Sequence, residues 1–300
     1  MIINLEDERY PAALKNIYDP PPVLYIKGNL VKSDALAVAI VGSRGPSHYG
    51  SEQASRFAHL LANAGFTIVS GMARGIDSAA HSGALSANGR TLAVQGCGLS
   101  NIFPPENKQL FEKISQSGAC ISELPLGYEP LSENFPARNR IIAGLSLAVI
   151  VVEAMPRSGA LITAKAALEN DREVMAVPGR IDSPLSKGPH SLIKQGAKLV
   201  ESVEDVLEAL EFLHKDFADY VSTSAEQTVK RVEMPLFDVS QLSLTDDERK
   251  IFDCLDGEPV HIEQVISDTG ISAGKVNASL VSLRLKGIVK HLPGNFFVKK

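Results

Sequence analysis

The chain has no tryptophan, only three cysteines, and an aromatic share of 6%. Large rings therefore cannot build its core. Val, Ile, Leu and Ala must do so, and 44% hydrophobic residues over 300 positions are enough for that. Cys97, Cys120 and Cys254 are scattered and odd in number, which excludes a disulfide framework or a zinc site and suits a reducing cytosol. Positive charge is not in excess, since the net charge is -5. A polyanion would have to be gripped by a local basic site rather than by a global field. Long apolar runs are missing too. The longest, around Leu145–Val152, is too short to span a bilayer, and the N-terminus, MIINLEDERYP, is acidic where a signal peptide is basic and apolar. These absences predict a soluble, cytoplasmic protein without a membrane partner.

Chemical signatures are also missing. Gly42, Gly45 and Gly50 follow a strand-like run but lack the G-x-G-x-x-G spacing of a dinucleotide site, and there is no Walker A lysine. There is no H-E-x-x-H, no nucleophile elbow and no carboxylate cluster suited to a metal. NAD and ATP are disfavoured, no cofactor or metal is expected, and a binding protein fits better than an enzyme.

What is present is rhythm. Residues 1–33 read as an N-terminal extension packing on the domain that follows, with little periodicity, in which VLYIKG reads as a short strand after the extended Pro20-Pro21-Pro22. Apolar strand candidates then recur at 36–41, 66–69, 91–95, 119–122, 147–152, 173–177 and 197–200. Helical spacing fills 50–64, 76–87, 106–116 and 158–169. Strands apolar on both faces, alternating with helices, predict an α/β domain over 34–213 with an extended Rossmann-like parallel sheet. Residues 214–243 read as a linker. From 244 to 300 a small C-terminal winged-helix domain is expected. Thr245 and Glu248 form a capping box for its first helix, a second helix covers 261–268, and a third follows Ser272 with Val276, Leu280 and Leu283 at core spacing. A hairpin closes it, with Pro293-Gly294-Asn295 at the tip.

Three strand ends carry similar chemistry. IVGSRGPSHYG places Gly42, Ser43 and Arg44 directly after a strand; IVSGMARGIDSAAH places Gly71, Arg74 and Gly75; VVEAMPRSGALITA places Ser158 and Gly159 at a helix start. In an open parallel sheet, ligands sit beyond the carboxyl ends of the strands. Glycine lets backbone N–H groups approach a phosphate, a helix N-terminus adds partial positive charge, and arginine forks onto phosphate oxygens. Together these read as a multi-phosphate cradle, although a lone glycine after a strand is usually just a turn. Two further stretches point to the same rim. GCGLSNIFPPENKQL offers Phe103 to stack a base and Lys108 at a helix start, and ENFPARNRIIAGLS offers Arg138 or Asn139 to the pocket. One arginine of the latter stretch reads as a structural salt bridge. Asp77 and His81, four apart on one helix face, could form an acid–base pair; a cap or arginine-orienting role for Asp77 and a packed role for His81 fit better.

GSRGPSHYG, IVSGMARGIDSAAH, GCGLSNIFPPENKQL, ISELPLG, FPARNRIIAGLS, EAMPRSGALITAKAALE and VPGRI, in this order, resemble the DprA/Smf family of DNA-processing proteins, densely over residues 9–213. The resemblance implies a Rossmann-like domain that binds single-stranded DNA, forms a homodimer and loads the RecA recombinase onto incoming DNA in natural transformation. It implies that Arg44 and Lys108 are strand-binding charges, with Arg138, Asn139 and Arg140 near them. Many members carry a SAM-like helical domain ahead of the YPAAL segment, and this chain starts just after that point. Position 103 is Phe where Tyr is common, which keeps a ring.

From Ile271 to Lys300 there is no acidic residue, whereas Lys275, Arg284, Lys286, Lys290, Lys299 and Lys300 are basic. That one-sidedness makes Lys275, Arg284, Lys286 and Lys290 candidate contacts to duplex DNA, against packing on a protein partner. Two rivals are weighed against a single-strand-binding mediator. One is a nucleotide-sensing winged-helix regulator. The other is a Rossmann-type phosphoribohydrolase, whose P-G-G-x-G-T loop is replaced here by MPRSGALITA.

Overall fold

The computed structural model describes residues 1–210, 244–255, 260–285, 288–292 and 294–299. The linker expected over 214–243 lies outside the described residues. The chain divides into two compact units, Met1–Thr223 and Ser224–Lys300.

The first unit is built on a nine-stranded sheet. Its parallel strands are β3 (Ala37–Val41), β4 (Thr67–Ser70), β5 (Thr91–Val94), β6 (Ala119–Ser122), β7 (Ala148–Val151), β8 (Glu173–Ala176) and β9 (Lys198–Leu199). The extension contributes two more. β1 (Ile2–Asn4) pairs antiparallel with β2 (Val23–Gly28), which pairs antiparallel with β6. Residues 1–33 therefore complete the sheet edge rather than merely packing on it. The order is β1-β2-β6-β5-β4-β3-β7-β8-β9. The chain runs outward from β3 to β6, then returns to place β7 on the other side of β3. That reversal opens a crevice at the carboxyl ends of β3 and β7.

Helices cover both faces. α1 (Ala12–Lys15), α5 (Asn134–Gly144), α6 (Gly159–Leu168) and α7 (Lys187–Lys194) share one core with Ala37, Ala39 and Val41. α2 (His48–Asn63), α3 (Ile76–Ser86) and a helix over 203–210, here α8, pack on Val38 and Ile40 from the opposite side. α4 (Lys108–Ser117) covers Ala93 and Cys120 on that same side. All five residues of β3 are buried, as the double coverage requires. Each fully buried Val or Ile contributes about 1.5–3 kcal/mol.

Among its described residues the second unit has a three-stranded sheet and three helices, the winged-helix arrangement expected from sequence. α9 (Asp246–Cys254) starts at the Thr245–Glu248 capping box, in which the Thr245 N–H donates to Glu248 Oε2 at 2.7 Å. α10 (Ile262–Thr269) ends in left-handed Gly270, one residue later than expected. α11 (Ala273–Leu285) buries Val276, Leu280 and Leu283 at the expected spacing. β11 (Val289–Leu292) and β12 (Phe296–Lys299) form the hairpin, with Gly294 and Asn295 both at positive φ. Sequence periodicity missed the two-residue β10 (Val260–His261), which pairs with β12.

Candidate nucleic-acid interface

The crevice at the β3–β7 switch point is a cavity of about 730 Å³. It is lined by Gly42, Ser43 and Arg44 after β3, by Arg138 and Asn139 of α5, and by Arg157, Ser158 and Gly159 ahead of and at the start of α6.

The β3–α2 turn owes its shape to its small residues. A side chain at Gly42 would reach within 2.6 Å of Ile76 Cγ1. Ser47 caps α2 by accepting from the Gly50 N–H at 3.1 Å. Its own N–H and hydroxyl donate to buried Glu153, at 2.8 and 2.6 Å. Glu153 follows β7, so one carboxylate ties the Arg44 turn to the Arg157 turn. Ser158 caps α6 by accepting from the Ala160 N–H at 3.3 Å, which brings that helix's N-terminus to the cavity wall.

Two buried ionisable residues that act on each other electrostatically, Asp77 and Arg138, also line the cavity. Asp77 accepts from the N–H groups of Gly71 at 3.1 Å and Ala73 at 3.3 Å. Burial raises its pKa, opposed by the charge of Arg138. Arg138 is itself buried, and its guanidinium donates to the carbonyls of Gly71, at 2.7 Å, and Val94. Burial brings its pKa down to about 10, and Asp77 works against that shift. Asn139 accepts from Arg138 at 3.2 Å and donates to the Gly159 carbonyl at 3.1 Å. Asp77 is thus an orienting group for the β4–α3 turn. His81 is fully buried, with Nδ1 2.6 Å from Thr91 Oγ1. The Thr91 hydroxyl donates to Ile68 O, so Nδ1 carries the proton toward Thr91. The acid–base alternative for this pair finds no support in these contacts.

The predicted residues divide into two sets. Gly42, Ser43, Arg44, Arg138, Asn139, Ser158 and Gly159 meet at the cavity. Gly71, Arg74, Gly75, Phe103 and Lys108 do not line it. Gly71 lies under the Arg138 guanidinium, and left-handed Gly75 backs onto Ser43. Exposed Arg74 pairs with Glu106. Lys108 is exposed at the start of α4. Phe103 packs against Phe135 with ring centroids 5.4 Å apart and a tilt of 47°, and Phe135 does line the cavity. The structural salt bridge anticipated in the R-N-R segment is Arg140, held by Glu123 at 2.6 Å and Asp19 at 3.1 Å.

Sequence reading missed Phe135 and Arg157. The Arg44 guanidinium carbon sits 5.7 Å from the Phe135 centroid, so Arg44, Phe135 and Phe103 follow one another as three planar groups. Arg44 and Arg157 are exposed and form no ion pair among the described residues. Met155 and Ile162 add exposed apolar surface at the mouth. The only available signals were Arg157's place before the Ser158-Gly159 helix start and the ring in N-F-P-A-R.

In the second unit Lys275 is exposed and lies 3.7 Å from Asp247. Arg284 is half-buried and Lys290 exposed, whereas Lys286 lies outside the described residues. Among the described residues no group of three His, Cys, Asp or Glu side chains could hold a metal ion, and no helix is long and apolar enough to cross a membrane.

The first unit is thus a doubly wound α/β body with a cationic, partly aromatic crevice at its switch point, and a winged helix follows it in the chain. The family model for DNA recombination-mediator protein A matches residues 1–211, and that for the DprA winged helix domain matches residues 237–295. The chain belongs to the DprA/Smf family of DNA-processing proteins. It is 40% identical to Protein Smf of Synechocystis sp. over 309 aligned positions, which span 96% of this chain and 77% of that protein. The X-ray structure of DNA processing protein A from Streptococcus pneumoniae is similar at a TM-score of 0.65 and 47% identity, over 69% of this chain and 73% of that one. DNA processing protein A from Helicobacter pylori, whose structure concerns its single-stranded DNA binding mode, is similar at a TM-score of 0.63 and 31% identity. That match covers 70% of this chain and 95% of that one.

Proposed function

We propose that this chain is a single-stranded DNA-binding recombination mediator that protects incoming DNA and loads RecA onto it in natural transformation, acting by binding rather than catalysis. The observation that carries the reading is the crevice itself. Arg44 and Arg157 face one cavity without carboxylate partners among the described residues, together with the half-buried Phe135 ring, which packs against Phe103. Guanidinium groups neutralise phosphates and aromatic faces stack unpaired bases, which is the combination single-strand binders use. The likeness to the Helicobacter pylori protein supports the same reading. Homodimerisation in the cytoplasm, RecA as partner and duplex contact by Lys275, Arg284, Lys286 and Lys290 belong to the proposal through the family. So does the placing of Arg74, Lys108, Gly71 and Gly75 along the strand's path.

The test is fluorescence anisotropy of a labelled oligothymidylate over a salt series, with wild type and Arg44→Ala. The reading requires tight binding whose logarithm falls with log salt by about 0.7 per phosphate neutralised, and a large loss in the variant. Absence of binding, or binding indifferent to Arg44, would reject it. Preference for a specific duplex would favour the regulator instead.

A further inference from the structure

The turns that carry Arg44 and Arg74 touch. The Ile76 N–H donates to Ser43 O at 3.1 Å, and a side chain at Gly75 would reach within 2.9 Å of the Arg44 carbonyl carbon. The two arginines therefore issue from one continuous surface, yet their surroundings differ. Arg44 faces a ring and the cavity. Arg74 faces a carboxylate, that of Glu106, through its Nε.

Glu106 is held there by its neighbour. The Asn107 side-chain amide donates to Met72 O at 2.9 Å and to Ser78 Oγ at 2.8 Å. These bonds fasten the segment ahead of α4 to the turn that bears Arg74. Met72 is fully buried at positive φ within that turn, a conformation that persists only where its surroundings fix it. Glu106 thus presents its carboxylate from a pinned backbone, two residues before exposed Lys108.

A carboxylate and a phosphate use a guanidinium in the same way, through oxygens set in the plane of its N–H donors. We propose that Glu106 is a specificity-determining residue of the strand-binding surface, an internal phosphate mimic that occupies Arg74 and withholds it from the strand. The inference rests on the strand-binding reading above. Both partners are about half exposed, with side-chain exposures of 57% for Arg74 and 48% for Glu106. Such pairs are weak, so neutralising the carboxylate is enough to free Arg74 for one further phosphate of a polyanion anchored at Arg44, whereas an isolated anion gains little at Arg74. The residue lowers affinity for single strands and keeps the complex reversible.

The experiment is oligothymidylate anisotropy over a salt series with wild type, Glu106→Gln, Arg74→Ala, the double variant and Arg44→Ala. Glu106→Gln is expected to tighten binding roughly 2- to 5-fold at low salt and to steepen the salt slope by about 0.7, one further phosphate. Arg74→Ala is expected to change wild-type binding less than about twofold and to abolish the gain in the double variant. If wild type binds and Arg44→Ala fails, but Glu106→Gln binds no more tightly, the Glu106 inference falls and the strand-binding reading stands. A loss in Arg74→Ala equal to that in Arg44→Ala would likewise show Arg74 already engaged and overturn the inference. Failure of wild type to bind, or indifference to Arg44, overturns both.

Discussion

The guanidinium of Arg138 fills the space that a side chain at Gly71 would need. A β-carbon there would lie 2.7 Å from Arg138 Nη2, and the same guanidinium donates a hydrogen bond to the Gly71 carbonyl at 2.7 Å. Glycine at this strand end leaves room for a side chain from α5, and no left-handed backbone calls for it.

A stability prediction follows for the buried pair. Arg138→Ala leaves the buried Gly71 and Val94 carbonyls without this donor and takes away the charge that opposes the effect of burial on Asp77, at about 1–3 kcal/mol for each buried group left unsatisfied. Adding Asp77→Asn to that variant should recover part of the loss, because no buried charge then remains. Urea unfolding of the three proteins checks this, and a double variant no more stable than Arg138→Ala alone would contradict it.

His81 makes stability depend on pH. Burial, aided by the nearby Arg138 charge, holds its pKa at about 3, against 6.5 for the free side chain. The folded pKa is depressed, so below 6.5 the unfolded chain takes up a proton that the folded chain refuses. The stabilisation is complete above pH 6.5 and is lost as pH falls toward 3, by about 1.4 kcal/mol per pH unit for one such group. His81→Gln should lack this component. Unfolding free energies at pH 7.5, 6.0 and 5.0 should show wild type losing more than the variant; parallel losses would refute the assignment.

The strands and most helices were legible because each parallel strand is a run of apolar residues covered on both faces, as in AVAIV of β3. β1 was not, since three residues carry no period and become a strand only by pairing with β2. α5 was hidden for a different reason. Its buried face includes Arg138 and Asn139, residues whose polarity reads as exposure until Asp77 and the strand-end carbonyls are placed around them. The cradle's glycines, Arg44, Ser158 and Gly159 could be named from strand-end chemistry alone. The partner of Arg74 could not, because Glu106 lies 32 positions away and meets it only through the fold.

For the second unit, Thr245→Ala should cost about 1 kcal/mol, the usual worth of an N-cap. The hydroxyl accepts from the Glu248 N–H at 3.3 Å, and Glu248 returns the bond to the Thr245 N–H. Hydrogen exchange over Asp246–Cys254 is the sensitive measurement, since a loss of that size weakens protection of the first turn by roughly fivefold. Unchanged exchange there would mean that the helix start is held by other contacts of Glu248, among them the bond it accepts from Ser282.

Phe135 is the position where folding and binding can be separated. Its ring meets Arg44 at 5.7 Å and Phe103 at 5.4 Å, and a ring beside Gly96 also fills space, since a side chain at that glycine would lie 2.8 Å from it. Truncation to Ala would therefore remove both packing and a stacking face. Phe135→Leu keeps most of the volume and loses the π surface. If bases stack at this ring, Phe135→Leu should weaken oligothymidylate binding by about 1–3 kcal/mol, with an unchanged salt slope because no phosphate contact is lost. Arg157→Ala should do the reverse, flattening the slope by about 0.7 while leaving unfolding unaltered. Equal effects of the two variants on the slope would mean that Phe135 acts only by holding Arg44 in place, and the stacking role would then have to be given up.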